Sequence, residues 1–141
     1  MPPGDRFVAE TTFHVRYAET DAMGIVHHTA YIVYFEEGRS HLGRVLGAPY
    51  AALEENGYSL AVSEVTARYI APARYDQRIG ILTWVEDLRS RGVVFGYEVV
   101  DAETRQLLVT GQTKHICVDR HGQVRRLPGE WANKMRRALR L

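Results

Sequence analysis

The chain has 141 residues, of which 45% are hydrophobic and 25% are charged, a size and composition typical of one soluble globular domain. Its 18 Lys and Arg against 17 Asp and Glu give a formal net charge of +1, and this balance argues against nucleic acid as an obligatory partner. The single cysteine, Cys117, excludes an intramolecular disulfide and a thiolate metal cluster. No leader-like segment and no run of about eighteen apolar residues occur, so we predict one cytoplasmic domain over residues 1–141, without a membrane span.

The first third of the chain predicts a short strand and then a long helix. The sequence F-H-V-R-Y in residues 13–17 alternates as a half-buried strand does. Thr29 has the hydroxyl with which an N-cap accepts a hydrogen bond from a backbone amide. We therefore expect a helix over residues 30–46, ended by Gly47 and Pro49, and a further short helix over residues 50–56. The apolar stripe of the long helix comprises Tyr31, Tyr34, Phe35, Gly38, Leu42, Val45 and Leu46.

The rest of the chain predicts four long strands in an antiparallel meander, at residues 58–71, 76–89, 92–101 and 106–119. A strand of about twelve residues at about 3.3 Å each spans roughly 40 Å, whereas a helix of about seventeen residues at about 1.5 Å each spans only about 25 Å. Strands of this length have to curl around the helix. Residues 128–141 predict a basic amphipathic helix on the surface of the sheet.

Both faces of the second long strand carry apolar residues. One face has Ile79, Ile81 and Val85, and the other has Leu82, Trp84 and Leu88. Since one helix covers only one face, we expect the other face and an exposed edge strand to contact another subunit, in a homodimer or homotetramer.

Two stretches resemble a known family. The string VRYAETDAMGIVHHTAYIVYFEEGR, residues 15–39, resembles the signature of the 4-hydroxybenzoyl-CoA and YbgC-type acyl-CoA thioesterases. The matching positions are Tyr17, Thr20, Asp21, Gly24, Ile25, Val26, His28 and Tyr31. The string VTARYIAPARYDQRI, residues 65–79, resembles the second conserved region of that family, with Tyr69, Pro72, Ala73 and Asp76 in register. Glu19 departs from the family, which usually has aspartate there, and His27 stands where tyrosine or tryptophan is common.

The resemblance implies an α+β hotdog fold, in which a curved five-stranded antiparallel sheet wraps one long central helix. It also implies an acyl-CoA or aroyl-CoA thioesterase without a cofactor, in which Asp21 acts as the nucleophile or as the general base for water. His28 would assist by orienting the thioester, and backbone amides of residues 26–30 would form the oxyanion hole. The expected substrate-binding residues are Tyr17, Gly24, Val26, His27 and Tyr31.

Other functions stay open at the level of sequence. A four-residue D-x-x-G pattern alone is more often a loop aspartate that bonds its own backbone, and only the longer string favours catalysis. A hotdog dehydratase and a non-catalytic module that binds acyl-CoA or an acyl carrier protein are the alternatives, and a carrier-protein thioester is also a conceivable substrate. No metal is expected, because Glu37 and His41 with the loop histidines lack the spacing of a known zinc motif.

Overall fold

The computed structural model describes residues 2–141, with five strands and three α-helices in that range. The strands are β1 (Ala9–His14), β2 (Tyr58–Tyr69), β3 (Arg78–Leu88), β4 (Gly92–Asp101) and β5 (Leu107–Asp119). The helices are α1 (Ala30–Val45), α2 (Tyr50–Glu55) and α3 (Gly129–Arg137), and a single 3-10 turn, Tyr17–Glu19, follows β1. The predicted bounds of β2 to β5 and of α1 are confirmed to within two residues.

The five strands form one antiparallel sheet in the order β1-β3-β4-β5-β2. The meander is confirmed for β3, β4 and β5, which are neighbours both in the chain and in the sheet. It is wrong for β2, which pairs with β5, from Tyr58 opposite Asp119 to Tyr69 opposite Val109. The reason is that β1 occupies the free edge of β3, so β2 can join the sheet only at the edge of β5.

The first strand begins and ends earlier than the alternation in residues 13–17 predicts. β1 covers Ala9–His14, and Tyr17 already lies in the 3-10 turn. The side chain of Val15 is still buried, at 1% exposed. Its amide donates to the carbonyl of Gln77, but both residues lie outside the paired ranges of β1 and β3. The alternating pattern F-H-V-R-Y therefore extends beyond the end of β1. The beginning of β1 was not predicted, because its first residues are mostly polar.

Helix α1 is wrapped by the sheet and buries most of the predicted stripe. Two residues differ from the prediction, since Val45 is 52% exposed whereas Arg39 is only 9% exposed. The helix lies very close to β3 at Gly38, because a Cβ atom there would collide with the side chains of Thr83 and Ile81. Only glycine permits this separation of helix and sheet.

Strand β3 has apolar residues on both faces, as predicted, with one exception. Leu82 and Trp84 lie in a second cluster with Val100, away from the main core. Leu88 is the exception, because it packs against the main core. A register shift between Val85 and Asp87 inserts one residue and so reverses the alternation before Leu88 is reached.

The predicted C-terminal helix is present as α3, and it covers one end of the core. Its buried residues are Trp131, Ala132 and Met135, and the Trp131 indole N–H donates to the carbonyl of Ala48 at 3.0 Å. A long helix inside a curved five-stranded antiparallel sheet confirms the predicted α+β hotdog fold. None of the helices formed by residues 2–141 has both the length and the apolar character needed to cross a membrane.

Candidate active site

The loop between the 3-10 turn and α1 places Asp21 in a tight turn. The Asp21 amide donates to the Ile25 carbonyl at 2.9 Å, and the Gly24 amide donates to the Asp21 carbonyl at 3.0 Å. Gly24 adopts φ 76°, a left-handed conformation that glycine tolerates without strain. The carboxylate atom Oδ1 accepts from the Met23 amide at 2.8 Å. Within residues 2–141 the second oxygen, Oδ2, accepts no hydrogen bond, so it is free to act on a ligand.

Asp21 lies on the wall of a cavity of about 380 Å³. The other residues that line this cavity are Met23, Ile25, Val26, His28, Tyr31, Tyr69, Ile70, Ala71 and Pro72. Apart from Asp21 and His28, the walls are largely apolar or aromatic, which suits an acyl group placed beside a single carboxylate. We call this space the Asp21 cavity.

The structure brings together only some of the residues predicted for the site. Val26, His28 and Tyr31 line the Asp21 cavity, whereas Tyr17, Gly24 and His27 do not. Tyr17 is 75% exposed and its ring packs edge-on against Tyr75, with 5.5 Å between the centroids. The ring of His27 stacks on that of His28 at 4.3 Å, next to the cavity.

Tyr69 is a residue of the site that the sequence reasoning missed. Its hydroxyl donates to the carbonyl of His28 at 2.9 Å, and its ring packs against Tyr31 with 5.5 Å between the centroids. The hydroxyl of Tyr31 in turn accepts from the amide of Ala73 at 3.1 Å. Burial raises the pKa of Tyr31, so this hydroxyl is protonated at neutral pH. Two tyrosines thus join the start of α1 to the end of β2 and the segment after it. In the sequence, only the family resemblance of residues 65–79 indicated that Tyr69 belongs to the site.

The start of α1 differs in one detail from the prediction. Thr29 occupies the N-cap position, but its hydroxyl makes no capping bond to the helix. Instead it lies 2.8 Å from Nδ1 of His27. Thr29 has helical dihedral angles, φ −73° and ψ −24°, whereas a side chain that caps its own helix normally needs an extended backbone.

The backbone amides of residues 26–30 are mostly occupied. The amides of Val26, His27 and Ala30 donate to the carbonyls of Ala73, Glu19 and His27 at 2.9, 2.8 and 2.9 Å. The amide of Thr29 donates to Nδ1 of His27 at 3.3 Å. Within the described part of the chain, the His28 amide has no acceptor. One amide of the predicted five is therefore available to a ligand.

Glu19 holds the loop against α1. Its carboxylate accepts from Nη2 of Arg16 at 2.6 Å and from the hydroxyl of Tyr34 at 2.9 Å. Partial burial acts to raise the pKa of Glu19, but the hydrogen bonds from Arg16 and Tyr34 outweigh it and lower that pKa. Glu19 is therefore ionised at neutral pH. Its side chain is fully engaged in anchoring and does not line the Asp21 cavity.

Comparison with known proteins identifies close similarities over most of the chain. The family model of the thioesterase-like superfamily matches residues 15–139. The acyl-CoA thioester hydrolase YbgC of Escherichia coli O6:H1 is 33% identical over 105 residues, which cover 74% of this chain and 78% of YbgC. The hypothetical protein TT1821 from Thermus thermophilus is 33% identical, with a TM-score of 0.87 over 94% of this chain and 98% of that one. The DHNA-CoA thioesterase from Staphylococcus aureus is 30% identical, with a TM-score of 0.86 over 90% of this chain and 87% of that one.

Proposed function

The chain belongs to the thioesterase-like superfamily, and we propose that it is a thioester hydrolase that converts an acyl-CoA or aroyl-CoA to the free acid and coenzyme A. The names of two relatives, an acyl-CoA thioester hydrolase and a DHNA-CoA thioesterase, support this substrate class. The observation that carries the proposal is the Asp21 cavity, which is lined both by a carboxylate with a free oxygen and by a residue with an unoccupied amide. We also propose that residues 1–141 act as one domain.

Asp21 is the group that acts on the thioester carbonyl. Its free oxygen either attacks the carbonyl carbon, which gives a mixed anhydride for water to hydrolyse, or removes a proton from water that attacks instead. In both routes the thiolate of coenzyme A leaves as the carbonyl re-forms. An ordinary thiol titrates near pH 8.5, which makes its thiolate a good leaving group that needs no strong general acid. One carboxylate is therefore sufficient.

The oxyanion is stabilised by the His28 amide. This amide lies just before the first turn of α1, where the aligned peptide dipoles give a partial positive charge, and it has no competing acceptor within residues 2–141. A donor that is unoccupied and fixed in place before reaction stabilises the developing negative charge without reorganisation. The hydrogen bond from Tyr69 to the carbonyl of His28 supports this placement of the peptide.

The remaining predicted residues shape the site around these two groups. Val26 and Tyr31 form the apolar wall beside the acyl group, and Gly24 provides the turn that presents Asp21. The His28 ring orients the thioester and is held by the stacked ring of His27. Tyr17, which is exposed, binds substrate only if the partner subunit or the coenzyme covers it.

Coenzyme A requires cationic groups for its phosphates. Arg89, Arg91 and Lys114 lie together on a cavity of about 690 Å³ at the β3–β4 turn and β5. Two further candidates for the phosphates, Arg68 and Arg74, do not line it. Arg74, however, pairs through its backbone with Ile25, which lines the Asp21 cavity, so both groups are candidates.

A homodimer or homotetramer completes the site in this proposal. Strand β2 pairs only with β5, so its outer edge offers unpaired backbone groups to another chain. Val62 on this strand is 49% exposed, and Tyr69 and Ile70 beside the Asp21 cavity are 49% and 52% exposed. We propose that a second copy pairs with this edge and that the active site lies between protomers. A stable monomer in sedimentation at micromolar concentration would contradict this assembly.

The test is thiol release from short, medium, long and aromatic acyl-CoAs, followed with a disulfide chromophore. Asp21→Asn preserves the shape of the side chain and should lower kcat by about a hundredfold or more. Glu37→Gln is the matched control, because this exposed carboxylate on α1 lies outside the cavity, and it should retain full activity. Undiminished turnover in Asp21→Asn would refute the catalytic assignment. If both proteins bind acyl-CoA without releasing thiol, the non-catalytic binding module becomes the better interpretation.

A further inference from the structure

The side chain of His27 is exposed and yet held in one orientation. Its ring stacks on that of His28, with 4.3 Å between the centroids and 30° between the planes. Its Nδ1 atom lies 2.8 Å from the hydroxyl of Thr29 and accepts from the Thr29 amide at 3.3 Å. Exposed side chains otherwise exchange rapidly between rotamers. These three contacts therefore fix a ring that is not packed in the core.

The backbone of His27 is fixed as well. Its amide donates to the carbonyl of Glu19 at 2.8 Å, and its carbonyl accepts from the amide of Ala30 at 2.9 Å. The carboxylate of Glu19 in turn accepts from the hydroxyl of Tyr34 on α1. The position of the backbone and the orientation of the ring are therefore both set before a ligand binds. A group that is already in place loses less conformational entropy on binding.

The contacts of Nδ1 also determine which nitrogen of His27 carries the ring hydrogen. A backbone amide can only donate, so Nδ1 accepts from Thr29 and carries no hydrogen itself. A neutral imidazole has one ring hydrogen, which is then on Nε2. Within residues 2–141 Nε2 makes no hydrogen bond. His27 thus presents an unused, oriented donor next to the Asp21 cavity.

We propose that Nε2–H of His27 donates to the first amide carbonyl of the pantetheine arm, an assignment that rests on the proposed function. His28 lines the Asp21 cavity, whereas His27 does not and lies one stacked ring further from it. His27 therefore meets a part of the substrate outside the thioester. In an acyl-CoA the sulfur atom is followed by two methylene groups and then an amide, whose carbonyl oxygen is the first acceptor on the coenzyme side.

The neutral character of the donor favours this oxygen over the phosphates. The phosphates lie at the far end of the pantetheine arm and require cations, whereas an amide carbonyl is neutral and accepts from a neutral N–H. His27 does not touch the reacting atoms in this arrangement. A hydrogen bond that is made equally in the ground state and in the transition state lowers KM and leaves kcat unchanged. His27 is therefore a specificity-determining residue, which selects thioesters of pantetheine over thioesters of thiols without an amide.

The test compares three benzoyl thioesters by thiol release, those of coenzyme A, N-acetylcysteamine and ethanethiol. N-acetylcysteamine retains the first amide of the pantetheine arm, and ethanethiol has no amide. His27→Phe keeps an aromatic ring against His28 and removes the donor. It should lower kcat/KM about three- to tenfold for the first two thioesters, through KM alone, and leave the ethanethiol thioester unchanged. His121→Phe is the matched control, since this exposed histidine lies in the turn after β5, and it should change none of the three values.

Three results would overturn the proposal. They are an unchanged kcat/KM for benzoyl-CoA in His27→Phe, an equal loss for all three thioesters, and a loss confined to coenzyme A. Thermal unfolding verifies that each variant is folded. If the wild type releases no thiol from any thioester, the proposed function fails, and binding of pantetheine followed by two-dimensional NMR then decides on the contact. Binding that is at least threefold weaker in His27→Phe would retain it, whereas equal binding, or none to the wild type, would remove it.

Discussion

Acid stability should depend on one buried histidine, His115 in β5. This residue is 3% exposed, and its Nε2 lies 2.8 Å from the hydroxyl of Thr113. Burial, together with the nearby guanidinium of Arg39, lowers the pKa of His115 from 6.5 to about 4. The folded protein therefore keeps this ring neutral at pH values where a histidine in the unfolded chain is already protonated.

The sign and size of the effect follow from proton linkage. Below pH 6.5 the unfolded state takes up a proton that the folded state does not accept until about pH 4, so stability falls as the pH falls through this window. A pKa difference of about 2.5 corresponds to roughly 3 kcal/mol over the whole window, and to about 2 kcal/mol by pH 5. Above pH 6.5 the contribution of His115 to stability is fully present.

The assay is urea unfolding at pH 7 and pH 5, on wild type and His115→Gln, at one protein concentration. Glutamine does not titrate and still offers a polar group to Thr113. Wild type should lose about 2 kcal/mol more than the variant between the two pH values. Asp101, whose pKa is lowered to about 2 by hydrogen bonds from the Thr104 amide and from Gln77, also destabilises the fold in acid, but it does so equally in both proteins. Equal losses in wild type and variant would refute the reasoning.

Three further substitutions test the anchoring of the site and the packing of the helix. Tyr69→Phe removes the hydrogen bond to the His28 carbonyl and should lower kcat about three- to tenfold with little change in KM, measured by thiol release; a change confined to KM would contradict the positioning role. Glu19→Gln weakens the anchoring of the loop to Arg16 and should lower the free energy of unfolding by about 1–2 kcal/mol in urea, whereas wild-type stability would show that the anchor is dispensable. Gly38→Ala places a methyl group against β3 and should destabilise by about 1–3 kcal/mol in thermal unfolding; an unchanged midpoint would mean that α1 can move away without loss.

The elements of the fold were predictable because their periods are local properties of the sequence. The apolar stripe of α1 and the bounds of β4 need no knowledge of distant residues; the bounds of β4 were confirmed, and so was most of the stripe, with Val45 as an exception. The position of β2 in the sheet was not predictable in this way. It depends on which edge of the sheet is left unpaired, and β1 already occupies the edge of β3. The prediction that Leu88 shares a face with Leu82 and Trp84 was wrong for a similar reason. A bulge of one residue is not visible in an alternating sequence pattern.

The grouping of residues at the candidate site was predictable only where the residues belong to one continuous stretch of sequence. Asp21, Val26, His28 and Tyr31 lie within eleven residues, and the structure places all four on one cavity. Tyr69 was recognisable only as part of a second resemblance, because its contact with His28 joins residues far apart in the chain. Arg39 is buried although its side chain is charged. No periodic pattern in the sequence predicts this burial.

The strand order also has a consequence for how the protein folds. β3, β4 and β5 follow one another through short turns, so their pairing closes small loops, whereas β1 and β2 reach the two edges through contacts between distant segments. Because closing long loops carries the larger entropic penalty, we expect the meander to form first and the edges to dock afterwards. The loop that contains Asp21 follows β1 in the chain and is bonded to the segment after β2 through the Val26 amide and the Ala73 carbonyl, so it depends on the two strands that dock late. The loop of the Asp21 cavity would then be the last part of the molecule to form, and the amides of residues 20–30 should exchange with deuterated solvent well before those of β3 and β4.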